Sequence, residues 1–228
     1  MLSALAIVPS APVLVPELAS GAADELADLR EAVFSAAAEL PDRWVAVGIG
    51  SVDAVIGADA VGTFAGYGVD VPVAFSPGGA GALSDLPLCA LIAGWVRGRV
   101  GPRARAEVRV FANDHEVDAA LARGRTLRAE IDEAADAIGV LVVADGLHTL
   151  SPTAPGGYDP EAEAVQSALD DALARGDAAA LAALPIGVIG RVAYQVLAGL
   201  AEPAPASARE LYRGAPYGVG YFAGVWLP

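Results

Sequence analysis

The residues that could carry chemistry follow an apolar run past the middle of the chain. Residues 140–143 are continuously apolar and lie between glycines, which is typical of a strand buried on both faces of a sheet. Asp145 and His148 come directly after this run, and open α/β sheets build their sites just past the carboxyl ends of such strands. His148 is one of two histidines, and an imidazole can move a proton near neutral pH. The simpler alternative is a histidine that only hydrogen-bonds a loop.

The elements that would position these residues follow from the pattern of the whole chain. Strands and helices alternate, which predicts an α/β fold: a central, mostly buried mixed sheet with helices on both faces. Short apolar runs predict strands over residues 2–8, 44–49, 69–75, 107–111, 140–143 and 215–223. Apolar stripes predict helices over residues 17–40, 83–99, 114–138, 160–175 and 190–200, with a short helix after Asp177. We expect a linker over residues 201–208 and a single domain over residues 1–228.

Composition narrows the classes of partner. The formal net charge is −14, which argues against nucleic acid and anionic membranes, because both require neutralisation by Lys and Arg. No segment offers the roughly 20 uninterrupted apolar residues of a membrane span. The predicted last strand could lie near a sheet edge, where unpaired backbone groups favour a homodimer.

Cysteine usage bears on the compartment and on metal chemistry. Cys89 is the only cysteine, so we expect neither a disulfide nor a thiolate metal site. The apolar N-terminus lacks the basic residues of a signal peptide. Together these features predict a cytoplasmic protein in a reducing compartment.

Two further motifs are weak. Gly48 and Gly50 follow a predicted strand as in a dinucleotide-binding turn, but Asp53 stands where the third glycine would be. The same segment does not match G-x-S-x-G, so a hydrolase nucleophile elbow is not supported. His115 falls in the first turn of a predicted helix, where we expect a surface histidine.

Three segments occur in an order that points to a family. Residues 7–16 read IVPSAPVLVP, residues 144–160 read ADGLHTLSPTAPGGYDP, and residues 215–221 read APYGVGY. They resemble the superfamily of class III extradiol ring-cleavage dioxygenases and Memo-like proteins. That superfamily opens on I-V-P-H-x-P-x-L-x-P and carries G-D-L-S-H-R-L followed by A-P-x-G-Y-D-P. The resemblance spans nearly the whole chain, and its second segment is the most specific.

The resemblance implies an iron chemistry that this chain does not fully support. Active members cleave an aromatic ring beside a catechol hydroxyl, using Fe(II) held by two histidines and a carboxylate, with another histidine as acid and base. Here Ser10 stands at the first metal histidine, Gly50 or Ser51 at the second, and Val188 at the glutamate. Only His148, at the acid/base position, persists. The resemblance therefore implies the family scaffold without its iron site, with no metal and no cofactor.

Three functional hypotheses remain, and whether the chain is an enzyme stays open. The first is a metal-free family member that binds an unknown small molecule or partner in a cleft lined by Ser10, Ser51, Asp145, His148 and Tyr158. The second is a working Fe(II) dioxygenase with displaced ligands, which would need both histidines and a carboxylate to converge. The third is a metal-independent hydrolase in which His148 activates Ser10 or Ser51. A weak Mg²⁺ or Ca²⁺ site on Asp53 and Asp145 is a further, less specific option.

Overall fold

The computed structural model of the protein describes residues 1–19, 21 and 23–228. Its strands are β1 (Leu2–Val8), β2 (Arg43–Gly50), β3 (Ala54–Ile56), β4 (Val61–Thr63), β5 (Pro72–Ala74), β6 (Arg105–Ala112), β7 (Ile138–Val143), β8 (Ser207–Gly214) and β9 (Tyr221–Leu227). Its helices are α1 (Pro16–Ala19), α2 (Ala27–Ala37), α3 (Leu88–Val100), α4 (Val117–Glu133), α5 (Ala162–Arg175), α6 (Ala178–Ala182) and α7 (Arg191–Leu200). Within the described ranges, no helix is both long and apolar enough to cross a bilayer.

Seven strands form one mixed sheet in the order β3-β6-β2-β7-β1-β9-β8, while β4 and β5 pair separately. Strands β6, β2, β7 and β1 are mutually parallel, and β9 is antiparallel to β1. The carboxyl ends of the four parallel strands therefore meet along one side of the sheet, which we name the carboxyl edge. The start of β9 lies on the same side.

Helices cover both faces of the sheet, so the predicted α/β class is confirmed. Alternate residues of each central strand enter different cores: Ala6 and Leu141 face the side of α2 and α3, while Ile7 and Val142 face the side of α4, α5 and α7. Strand β7 is buried at every residue, as its uninterrupted apolar run predicts. The strand that precedes the candidate site is thus held on both faces.

The closest helix contact joins α4 to α7. Neither helix carries a side chain at its crossing point, because Gly124 and Gly199 stand there. A Cβ at Gly124 would collide with the carbonyl oxygen of Val196, and a Cβ at Gly199 with that of Leu121. The two backbones therefore pack directly against each other, which only glycine allows.

The predictions for one strand, one linker and one helix are wrong. The strand predicted over residues 69–75 is the short β5, which pairs with β4 outside the main sheet. The segment predicted to be a linker contains the start of β8. The helix predicted over residues 17–40 is two helices, with turns at residues 23–26; Ser20 and Ala22, which that prediction included, lie outside the described residues.

The C-terminal strand also differs from its prediction. A 3-10 turn over Pro216–Gly218 delays the strand, so β9 begins only at Tyr221. Strand β9 lies between β1 and β8. Strand β9 therefore has no free edge through which a second copy could pair. A homodimer stays a prediction.

Candidate functional site at the carboxyl edge

Asp145 is a buried carboxyl group directly after β7. Its side chain retains only 9% of its accessible surface. The backbone N–H of Ser10, which follows β1, donates to Oδ1 of Asp145 at 2.7 Å. This is the one hydrogen bond to the carboxyl group of Asp145 among the described residues. Burial raises the pKa of Asp145 from 3.8 to about 7, and the bond from Ser10 only partly opposes that rise.

The backbone at Asp145 is fixed by the loop that precedes α7. The N–H of Gly190 donates to the carbonyl oxygen of Asp145 at 2.9 Å, and the N–H of Ile189 donates to that of Gly146 at 3.1 Å. A Cβ at Gly190 would lie 2.6 Å from Cβ of Ala144 and 2.7 Å from the oxygen of Asp145. The loop can approach this closely only because residue 190 is glycine, and the approach places α7 behind the carboxyl group.

His148 is half-buried in the loop that links β7 to α5. Its Nδ1 is buried and has no hydrogen-bond partner within the described ranges. The N–H of Gly156 donates to the carbonyl oxygen of His148 at 3.0 Å, and a Cβ at Gly156 would lie 2.6 Å from the ring atoms Cδ2 and Nε2. The ring thus packs against a bare backbone on one side. A buried imidazole nitrogen without a partner retains the capacity to bind a ligand group.

Behind His148, a buried polar chain supports the loop. Oε1 of Gln166 accepts from the N–H of Leu147 at 2.9 Å, and Nε2 of Gln166 donates to Oδ1 of Asp170 at 2.8 Å. A Cβ at Gly146 or at Gly220 would collide with the amide of Gln166. The amide of Gln166 therefore fills the space that these two glycines leave open.

A second polar group lies on the other side of the sheet centre, after β2 and β6. Oδ1 of Asp53 contacts Nε2 of His115 at 2.7 Å and accepts from the N–H of Ala112 at 2.8 Å, while Oδ2 pairs with Arg123 at 2.7 Å. Burial acts to raise the pKa of Asp53, but the Ala112 hydrogen bond, His115 and Arg123 hold it below its ordinary value. His115 was predicted to be a surface histidine; its side chain is 18% exposed, so it reaches the surface only in part, and it is bound to Asp53.

The structure brings some of the predicted site residues together and leaves others apart. Ser10 and Asp145 are hydrogen-bonded through the backbone of Ser10. Ser51 is exposed, and the side chain of Tyr158 is 60% exposed on the same loop as His148. Within the described residues, neither serine hydroxyl is hydrogen-bonded to His148. Asp145 and His148 lie three residues apart on the loop that follows β7, and a cleft that also includes Ser10, Ser51 and Tyr158 stays a prediction.

Exposed apolar side chains surround this edge. Val52 follows β2, Ile189 bonds the backbone after β7, and Tyr217 precedes β9. These residues and their neighbours on the same loops are exposed by 39% to 88%: Val52, Tyr158, Ile186, Ile189 and Tyr217. Apolar side chains beside a few polar groups are common at small-molecule sites.

The residues at this edge do not fit the two-histidine, one-carboxylate iron site. The sequence resemblance predicts a metal histidine at position 10, and the serine there has no imidazole to offer. Nε2 of His115 and both oxygens of Asp53 are already engaged with one another, Ala112 and Arg123. In the part of the chain that the structure describes, no group of three or more His, Cys, Asp or Glu side chains is arranged to hold a metal ion.

Comparisons with known proteins bear on the fold of the chain and not on its function. No protein-family model matches the chain, and no curated protein matches it. Among solved structures, it is similar to the crystal structure of the uncharacterized protein JW3007 from Escherichia coli K12, with a TM-score of 0.56 and 12% sequence identity. The match covers 99% of this chain and 100% of the other. The likeness therefore concerns the α/β architecture over its full length.

Proposed function

We propose that this chain is a divergent member of the class III extradiol dioxygenase and Memo-like superfamily that has lost the iron site. It binds a small ring compound bearing hydroxyl groups at the carboxyl edge. Asp145 and His148 supply the polar contacts, and Ser10, Ser51 and Tyr158 line the cleft. The proposal rests on the sequence resemblance together with the geometry of these groups.

The buried carboxyl group of Asp145 is the observation that carries the proposal. A carboxyl group with a single hydrogen bond is costly to bury. Its pKa near 7 means that it can donate a hydrogen bond when protonated and accept one when ionised. Strongly perturbed carboxyl groups in clefts are candidates for functional sites.

The surroundings of Asp145 indicate the class of ligand. The exposed side chains of Val52, Ile189 and Tyr217 offer apolar contact to the faces of a ring. The free oxygen of Asp145 and the unpartnered Nδ1 of His148 suit hydroxyl groups, which both donate and accept. Catechol, the ring that the resembled superfamily recognises, combines these features and is the natural probe.

Iron content is the first test of the proposal. Because the residues present do not form a facial triad, protein purified from iron-supplemented cells is expected to contain less than about 0.1 equivalent of iron. An anaerobic Fe(II) titration should show no saturable binding at that site. Near-stoichiometric iron would overturn the proposal and restore the dioxygenase hypothesis.

Catechol binding by the metal-free protein is the second test. Isothermal titration in the presence of a chelator should show saturable binding, and His148→Gln should weaken it about fivefold, the loss expected for one hydrogen bond. His115→Gln is the matched control, because that histidine is occupied by Asp53, and it should leave the affinity unchanged. Equal losses in the two variants, or no saturable binding, would contradict the assignment of His148.

The other two hypotheses have less support. A working iron site would require the side chain of His115, which follows β6, to leave Asp53. It would then have to reach His148, which follows β7. A hydrolase would require a serine hydroxyl at His148, yet Nδ1 of that histidine has no partner among the described residues. Neither arrangement is favoured by a contact at the carboxyl edge.

A further inference from the structure

A second cleft, of about 370 Å³, lies between α5 and the end of β8. That volume is near the lower end of the range for small-molecule sites. Its lining offers more apolar than polar surface and comes from the β7–α5 loop, α5 and the end of β8: Leu150, Glu163, Gln166, Ser167, Asp170, Arg213, Gly214 and Ala215. None of the predicted site residues lines it, although Gln166 connects this cleft to the loop that carries His148.

Asp170 is the charged residue buried at this cleft. Only 7% of its surface is exposed. Oδ1 accepts a hydrogen bond from Nε2 of Gln166, which is the one hydrogen bond to this carboxylate among the residues that the structure describes, so Oδ2 is open to a ligand. Burial raises the pKa of Asp170 from 3.8 to about 6, against the lowering effects of Gln166 and Arg213. The charge of Arg213 therefore offsets the burial of this carboxylate only in part.

Arg213 acts on Asp170 without a direct ion pair, because its guanidinium bonds two other carboxylates. Its Nε donates to Glu210 at 2.8 Å and its Nη1 donates to Asp171 at 2.8 Å. Arg213 is the one basic residue in the described lining, and Glu163 adds a second acid at the exposed side. The cleft consequently carries an excess of negative charge, in a position where a bound cation would be partly shielded from solvent.

We propose that this cleft binds a small primary ammonium ion, with Oδ2 of Asp170 accepting a charge-assisted hydrogen bond from the ammonium group. An ammonium group has three donors and no acceptor, which matches a free carboxylate oxygen. The short alkyl part would lie against Leu150 and the backbone at Gly214 and Ala215. This function is separate from the catechol-type binding proposed above and does not depend on it.

A metal ion is a poorer match for the same charge. A divalent cation needs several oxygen ligands at short distance, and the described residues hold no cluster of three or more acidic, His or Cys side chains suited to one. A neutral alcohol could bond Oδ2 but would leave the negative charge uncompensated. These two ligands therefore serve as the negative arms of the test.

The test is isothermal titration of the full chain with n-butylammonium chloride at pH 7.5. We expect a saturable site with a dissociation constant on the order of 1–10 mM, as a few heavy atoms and one ion pair allow. Asp170→Asn should weaken binding at least about tenfold, the scale of a lost charge-assisted hydrogen bond. Asp85→Asn, which neutralises an exposed acid elsewhere, is the matched control and should have no effect.

The titration of the Asp170 carboxyl and the pH dependence of the affinity give two further measurements of the same contact. The ¹³C shift of the Asp170 carboxyl in the unmodified protein should titrate at lower pH when n-butylammonium is bound, because the cation favours the ionised form. For the same reason, affinity should be lower at pH 5 than at pH 7.5. Equal binding of n-butanol, preferential binding of Mg²⁺, or an Asp170 titration that ignores the amine would each overturn the proposal.

Discussion

Replacing Asp145 with asparagine is expected to raise the free energy of unfolding at pH 8 by about 2–4 kcal/mol. At that pH the native protein carries an ionised carboxylate that is almost entirely buried and has one hydrogen bond. The amide of asparagine has nearly the same shape, keeps an oxygen for the N–H of Ser10, and carries no charge to desolvate. A shift of the pKa from 3.8 to about 7 corresponds to at most about 4 kcal/mol.

The gain should depend on pH in a defined direction. The folded protein keeps the Asp145 proton up to about pH 7, whereas the unfolded chain releases it near pH 4, the ordinary pKa of an aspartate. Between these values the unfolded state binds fewer protons, so the contribution of Asp145 to stability is lost as the pH rises from about 4 to about 7. Above pH 7 both states are ionised and the difference stays constant.

Urea unfolding at pH 4.5 and pH 8 would measure this effect. The variant should resemble the parent at the lower pH and exceed it at the higher one. Asp170 also has a raised pKa, but it is present in both proteins, so its contribution cancels in the comparison. Asp85→Asn controls for the loss of one negative charge. If Asp145→Asn showed the pH dependence of the parent, Asp145 would not be the buried acid described here.

A more stable variant that binds catechol less well would have a clear meaning. Proteins commonly hold strained or poorly solvated groups where function needs them, at a cost in stability. The combination would identify Asp145 as a residue kept for the site and not for the fold. Unchanged binding in a more stable variant would instead direct attention to His148.

Gly124→Ala is expected to destabilise the fold by about 3 kcal/mol or more. The added methyl group would meet the carbonyl oxygen of Val196 and would lie 2.8 Å from the N of Leu200, so α4 and α7 would have to separate. Backbone atoms cannot rotate away as a side chain can, and separation would open a core that contains Val196 and Leu197. Thermal or urea unfolding followed by circular dichroism would report the loss.

Gly98→Ala provides the matched control for this prediction. Gly98 is also helical, in α3, but it is exposed, and a Cβ there would meet nothing within 4 Å. Since alanine favours helix over glycine by up to about 1 kcal/mol, this change should stabilise the protein slightly. If both variants shifted stability in the same direction, the α4–α7 contact would not be as close as described.

The sequence was sufficient for the class of fold but not for the order of its strands. Alternating patterns predicted an α/β sheet, and the apolar run at residues 140–143 identified the buried strand β7. Strand β8 was missed because its residues are half-exposed and charged, as suits a strand at the edge of the sheet. Compartment and partners, including the cytoplasmic assignment, remain predictions from composition.

The candidate site was predictable only where its residues are close in sequence. Asp145 and His148 were found because they lie three positions apart after the same strand. The pairing of Asp53 with His115 depends on β2 lying beside β6, and chain order does not reveal that neighbour. Asp170 was missed because it lies next to the apolar Leu169 on α5, and only the contact through Gln166 explains why a carboxylate is buried there.

The polar chain behind His148 also limits how the protein can change during evolution. Gly146, Gly220 and Gln166 share one volume, since the amide of Gln166 occupies the space of the two absent side chains. A homologue that gained a side chain at either glycine would need a smaller residue at position 166. It would then have to replace the hydrogen bond to Leu147 in another way. Substitutions at these three positions, although two of them are far from the third in the sequence, are therefore expected to be correlated among homologues.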